Sequence, residues 1–387
     1  MTWNRSPIDD GRWTTSSVSR SRRQFIREAT GACLGTAFLP SHARAAQARR
    51  DRKAVIVTFG GGARDDETFM PSGHENIPHL LGELLPQATF FTQVVNRGIL
   101  GHYVANASLA TGAYETLNNF IAAPPQHPTV FEYFRKDLNR PSSDAWVIAP
   151  SIGFERIGES HHAAYGPGLG ANVVLPKRLL ASAIPAGARA DYESLLHDNY
   201  ESPLYQPEAG QNIELERLTG LLKVSVSDFL TGARNLESPD ELSVFIARRV
   251  MRQFAPSLLW ITLHDIDIAH AGTFSLYVDA IRRTDRLCAE IWKMIQSEPE
   301  YAGRTSLFVL PDFGRDSDET PGGNGFQHHR TGDARSRTTW MLALGPDIRD
   351  NVLVDRPIDS MDLVPTLGSY FGFSPRFAEG RPVGELF

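Results

Sequence analysis

The chain has 387 residues, 41% of them hydrophobic and 22% charged, the balance of an ordinary globular protein rather than a disordered or fibrous one. No run of 18 apolar residues occurs, so no membrane-spanning helix is expected. The formal net charge is −6; the first 45 residues hold seven of the 39 basic and three of the 45 acidic side chains, leaving 32 against 42, or −10, for the remainder. Such a balance argues against nucleic acid and anionic membrane as partners, since neither a phosphate backbone nor anionic lipid attracts it.

The N-terminal segment is rich in Arg and Ser and contains SRRQFIREATGACLGTAFLPSHARA, residues 21–45. Arg22-Arg23 followed by Phe25 and Ile26 has the pattern of a twin-arginine export signal. Ala29 to Leu39 forms a short, weakly apolar core, and Ala43-Arg44-Ala45 a small-x-small cleavage site. The simpler reading, a surface helix with a chance Arg pair, does not explain the order, spacing and ending together. Residues 1–45 are therefore read as a signal peptide and 46–387 as the folded domain. This predicts a periplasmic or secreted protein whose partner in transit is the twin-arginine export machinery. That route carries folded proteins, often with a metal or cofactor installed. Cys33 falls in the signal, with Thr30 disfavouring a lipid anchor there, and Cys288 alone remains. One cysteine excludes an internal disulfide, and its apolar helical surroundings predict a buried structural thiol.

In the mature chain, AVIVTF (54–59) reads as a buried strand ending in the turn Gly60-Gly61-Gly62. NIPHLLGELLP (76–86) predicts a helix stopped by Pro86, ATFFTQVV (88–95) a strand, NASLATGAY (106–114) a helix and AWVIAP (145–150) a strand. From about 155 to 235 the pattern loosens, as expected of a cap or insertion. SPDELSVFIARRVMRQFAP (238–256) opens like a capped helix, and SLLWITL (257–263) follows as a strand. Residues 274–296 place Leu276, Ile281, Leu287, Ile291 and Ile295 at helical spacing. TSLFVLP (305–311) and TTWMLALG (338–345) are strands, and SMDLVPTLGSYFGF (360–373) a closing helix. Strands alternating with helices predict an α/β domain, a central mostly parallel or mixed sheet with helices on both faces. Ligands in such sheets sit at the carboxyl ends of the strands.

Polar clusters stand at those ends. His264-Asp265-Ile266-Asp267-Ile268-Ala269-His270 follows one strand, Asp312 another, and His328-His329 lie in the Gly-rich loop after it. Asp267 and His270, three residues apart, can both face a cation, and His328 or His329 completes a two-His, one-carboxylate set suited to Zn or Fe. Asp312-Phe313-Gly314 spells the magnesium-binding triplet of protein kinases, but the strand Lys, Gly-rich loop and H-R-D segment that a kinase requires are absent in order. The glycine triplet either presents backbone N–H groups to an anion or only makes the turn. His161-His162, in the loose region, reads more naturally as a surface pair than as a cleft lining.

The order of these elements resembles the alkaline phosphatase/sulfatase superfamily over most of the mature chain. Gly345-Pro346-Asp347-Ile348, Asp362-Leu363-Val364-Pro365-Thr366-Leu367 and Gly380-Arg381-Pro382 are similar to that family's C-terminal third. The resemblance implies two metals, or one beside a formylglycine, with a nucleophile attacking a phosphorus or sulfur centre. Against it, Gly60 stands where a first-strand Asp is implied, His102 where a Thr, Ser or Cys nucleophile is implied, and Phe313 where the His of Asp-His-Gly is implied. The nucleophile-side metal then keeps only Asp312, whereas the other set, Asp267, His270 and His328 or His329, is complete. Its Asp-to-His spacing is one residue short, with Asp265 as the substitute.

The expectation is a divergent exported hydrolase of small anionic phosphate or sulfate esters with a single divalent metal, zinc first and Mn, Fe or Ca as alternatives. One metal suffices in principle to polarise an ester and acidify water, with His102 as base or extra ligand; the simpler reading of His102 is a helix-start residue facing solvent. The alternatives are a non-catalytic metal- or anion-binding relative, favoured by the lost nucleophile, and a two-His-one-carboxylate iron enzyme.

Overall fold

A computed structural model describes residues 51–185, 187–197, 225–319 and 322–387. The twin-arginine pattern, its cleavage site and Cys33 lie outside the described residues. The fold is α/β around an eight-stranded mixed sheet of order β4-β3-β5-β1-β6-β7-β2-β8. At its centre β1 (Lys53–Thr58) runs parallel to both β5 (Leu258–Thr262) and β6 (Thr305–Leu310). Beyond β5 lie β3 (Ala145–Ile148) and the short edge strand β4 (Asn172–Val174), both parallel to it. On the other side β7 (Thr338–Leu344) runs antiparallel to β6 and to β2 (Ala88–Val95), and β8 (Val352–Asp359) pairs in parallel with β2.

Every residue of β1, β3, β5 and β6 is buried, which is why these strands read as unbroken apolar runs: helices cover both faces. On one face Val55 and Val57 pack with Leu242, Ile246 and Val250 of α5 (Pro239–Phe254) and with Ile281, Ile291 and Ile295 of α6 (Phe274–Ser297). On the other, Ala54 and Ile56 share a core with Leu109 of α1 (His102–Thr111), Phe131 and Phe134 of α2 (Val130–Asp137), and Leu367 and Phe371 of α7 (Leu363–Phe371). α5 starts as its sequence predicts. Ser238 accepts the Glu241 N–H at 3.2 Å, and Pro239 takes the first helical position. Cys288 is buried in α6.

Three segments differ from expectation. The helix expected over 76–86 is reduced to one π-helical turn, Leu80–Leu84, between two short 3-10 turns; Pro78 and Pro86 leave room for little more. The helix expected from 106 begins at His102 and ends at Thr111, which brings His102 to its first turn. The loose stretch 155–235 contributes β4 and the helices α3 (Pro176–Ala183) and α4 (Val226–Ala233). β8, where only Val354 and Ile358 are buried, is an edge strand, where a proline is tolerated.

Candidate metal centre

The first turn of α1 sets the centre. Asn119, from the loop that follows α1, accepts the N–H groups of Tyr103 at 3.0 Å and Val104 at 3.4 Å, doing the work of a cap that Gly101 cannot do. His102 is thereby fixed with no solvent exposure. Its Nδ1 lies 2.6 Å from Asp312 Oδ2, and its Nε2 lies 3.0 Å from Asp267 Oδ1. Asp312 lies two residues past the end of β6, and Asp267 sits in the 3-10 turn Asp265–Ala271 after β5. His270 Nε2 is 3.1 Å from Asp267 Oδ1 and 2.9 Å from His329 Nε2. Ligand atoms of His102, Asp267, His270 and His329 therefore lie within 4.8 Å of one another.

The outer nitrogens decide what this group offers. His329 Nδ1 lies 2.8 Å from the Leu100 carbonyl, so it carries the proton and turns the Nε2 lone pair inward. His102 Nδ1 donates to Asp312 in the same sense. Asp312 is held by Asn106 Nδ2 at 3.2 Å and by the Phe313 N–H at 3.1 Å. Asn106 accepts from Thr58 Oγ1 at 3.0 Å, and Thr58 Oγ1 accepts from Trp260 Nε1 at 2.9 Å. This buried relay fixes the His102 ring from behind. Asp267 Oδ1 also takes Arg315 Nη2 at 2.9 Å.

A cation fits what is left. Asp267 Oδ2 is buried and makes no hydrogen bond among the described residues, a costly condition for a carboxylate oxygen. Three imidazole nitrogens and a carboxylate are the donor chemistry of zinc. With protein groups alone, burial would lower the His102 pKa, but the Asp312 and Asp267 carboxylates override it and push it up to about 9. Burial likewise opposes ionisation of Asp267, yet His102 above all holds it well below the usual carboxylate range. Burial, helped by the neighbouring charges of His102 and Arg315, drives His329 down to about 2, so it presents a neutral ring at physiological pH.

Of the residues singled out in sequence, Asp267, His270, His329 and His102 converge. Asp312 stands behind His102, outside that group, and His328 is also outside it, its backbone carbonyl accepting the Asp316 N–H at 2.9 Å. Asp265 turns away to Arg283, 3.3 Å distant. His161 meets Arg156 and the His162 ring packs at a tilt against Phe377, so neither joins the group. The glycine turn offers the Gly61 and Gly62 carbonyls to Arg315. Gly60 has no room for an aspartate, because a Cβ there would lie 1.8 Å from the Leu263 carbonyl oxygen. Phe313 is fully buried, its ring 4.6 Å from both His102 and His329. Sequence reasoning missed Arg315, Asn106 and Asn119, which no local pattern marks.

No family model matches the chain, and no curated protein matches it in sequence. Solved structures do resemble it. The lipoteichoic acid synthase LtaP of Listeria monocytogenes aligns with a TM-score of 0.53 at 10% identity, over 86% of this chain and 74% of that one. A protein in the alkaline phosphatase superfamily from Vibrio parahaemolyticus aligns at 0.50 and 13% identity, over 85% and 69%. Wild-type alkaline phosphatase PafA aligns at 0.50 and 11% identity, over 87% and 99%. These likenesses show an alkaline phosphatase-like fold.

Proposed function

We propose that the chain is a hydrolase of phosphate or sulfate esters that uses one divalent cation and water in place of a side-chain nucleophile. The observation that carries the reading is the convergence of three imidazole Nε2 atoms and the Asp267 carboxylate from the turn after β5, the loop after β6 and the start of α1. The solved neighbours supply the reaction class, since one of them is an alkaline phosphatase.

A cation held there would supply Lewis-acid polarisation of the ester and acidify water. The protein's part is orientation. His102, fully buried, is immobilised by Asp312; His270, with a side chain 35% exposed, forms the open side through which an ester can approach. The ester's phosphorus or sulfur gains an oxygen from water, and its bond to the alkoxy oxygen breaks. The departing oxygen keeps the electron pair and takes a proton, giving the alcohol and an anion. The helix start that would carry an alcohol or thiol nucleophile carries His102, so water is the attacking group.

Elemental analysis of the purified mature protein, then assays with nitrophenyl phosphate, a diester and a sulfate ester, test this. We expect about one metal ion per chain and turnover that is lost in His270→Ala; a protein free of metal after purification and reconstitution with Zn2+ defeats the reading. The second reading, a non-catalytic metal binder, is favoured by the count of protein donors, because four ligands close a tetrahedral site whereas catalytic zinc sites keep a position open. Bound metal without turnover decides for it. The twin-arginine pattern supports export of the folded protein, and cytoplasmic retention of an Arg22→Lys, Arg23→Lys variant would bear on that.

A further inference from the structure

We propose that Arg315 is a positioning residue of the metal centre, the tie that holds together the separate chain segments carrying its ligands. The inference rests on the metal-binding half of the reading above. Arg315 has no solvent exposure, and a guanidinium is not placed in a protein interior without partners for its donors.

Here those partners belong to the parts of the centre. Nε donates to the Gly62 carbonyl at 2.8 Å, and Nη2 donates to the Gly61 carbonyl and to Asp267 Oδ1, the latter at 2.9 Å. Nη1 donates to the Phe326 carbonyl at 3.1 Å. Gly61 and Gly62 form the turn after β1; Asp267 shares its own turn with His270; Phe326 lies in the 3-10 turn Gly325–Gln327, three residues before His329. One planar fork thus joins the glycine turn, the turn that carries Asp267 and His270, and the loop that delivers His329.

The glycine turn is itself built to press on Asp267. A Cβ on Gly61 would lie 2.4 Å from the Asp267 nitrogen, so the two backbones touch directly. Arg315 closes this contact from the other side. By occupying Asp267 Oδ1 it fixes the carboxylate rotation, and Oδ2 is left as the oxygen without a hydrogen bond. The Arg315 side chain reaches no solvent, so it acts through Asp267 and not on a substrate. A lysine retains the charge but not the fork, since one ammonium cannot reproduce donors diverging to four acceptors.

The experiment uses the full mature chain, stripped of metal, titrated with Zn2+ in competition with a chromophoric chelator, for wild type, Arg315→Lys and Arg315→Ala. Wild type is expected to bind; if it does not, the metal reading itself fails, and Arg315 is not at issue. With wild type binding, Arg315→Lys is expected to bind Zn2+ about 10–100-fold more weakly, the range for loss of an outer-shell partner. At saturating Co2+ its visible absorption spectrum should differ from that of wild type, a change that mere loss of stability does not produce. Guanidinium ion at tens of millimolar should restore binding to Arg315→Ala. Wild-type affinity and an unchanged cobalt spectrum in Arg315→Lys overturn the proposal. So does failure of both variants to fold even with guanidinium present, because that makes Arg315 a core residue rather than one of the centre.

Discussion

Replacing Asp312 by Asn separates a ligand from a residue that orients a ligand. Asp312 Oδ2 accepts from His102 Nδ1 at 2.6 Å and from Asn106 Nδ2 at 3.2 Å, and Oδ1 accepts the Phe313 N–H at 3.1 Å. An asparagine supplies one acceptor oxygen for these three donors and turns an amide N–H toward at least one of them. If its oxygen serves His102, the bond survives but falls from about 1.5–3 kcal/mol for a charged acceptor to about 0.5–1.5 kcal/mol for a neutral one, a loss of about 1–1.5 kcal/mol. Loss of an outer-shell partner lowers metal affinity about 10–100-fold, which is about 1.4–2.8 kcal/mol. The two routes meet near the low end of the second, so Asp312→Asn should weaken Zn2+ binding by about 1.5 kcal/mol and leave the stoichiometry unchanged. Chelator competition with elemental analysis measures both. Unchanged affinity would refute the orienting role. Loss of the ion altogether would refute it from the other side, by showing that Asp312 contacts the metal itself.

Two further predictions concern the scaffold. Burial raises the Asp285 pKa to about 6 from 3.8, against the lowering effect of bonds from the Leu80 and His79 N–H groups. An acid whose folded pKa lies above its unfolded value binds protons more tightly when folded. Its contribution to stability therefore increases as pH falls from above 6 toward 4, by roughly 3 kcal/mol from the size of the shift. Urea unfolding of wild type and Asp285→Asn between pH 4 and 7.5 should show this difference, and parallel stability curves would sink it. Gly61→Ala should destabilise by about 3 kcal/mol or more, because Gly61 has φ of 97° and a Cβ would sit 2.4 Å from the Asp267 nitrogen. A wild-type unfolding midpoint would contradict that geometry.

What could be read from the sequence follows burial. The runs at 54–59, 257–263 and 305–311 are apolar on both faces because helices cover both faces of β1, β5 and β6. β8 escaped notice because an exposed edge strand needs no such run and admits Pro357. Asp267, His270 and His329 were legible as polar residues at strand ends and in the following loop. His102 is marked only by the resemblance, which implies a nucleophile there; its burial is not legible, because its partners Asp267 and Asp312 lie 165 and 210 residues further along the chain. The role of Asp312 was not legible, because sequence names a histidine but not which ring nitrogen faces which oxygen. Arg315 looks in sequence like any surface arginine; only the converging carbonyls of Gly61, Gly62 and Phe326 give it a task.

The departures at His102 and Phe313 are physically coupled, and this makes a last prediction. The His102 imidazole lies between the two carboxylates, and the Phe313 ring packs at a 33° tilt against it, also contacting Leu100 and Ala105 in a dry cluster. An aspartate at 60 is excluded by the Leu263 carbonyl, so reverting one position cannot rebuild a second cation site. Phe313→His would place a polar ring where the native side chain has no solvent exposure, leaving N–H or lone pair unsatisfied at a cost of about 1–3 kcal/mol. The expected variant is less stable to urea by that amount and binds no more Zn2+ per chain than wild type. Two ions per chain in Phe313→His would mean that the place of a second metal is still open.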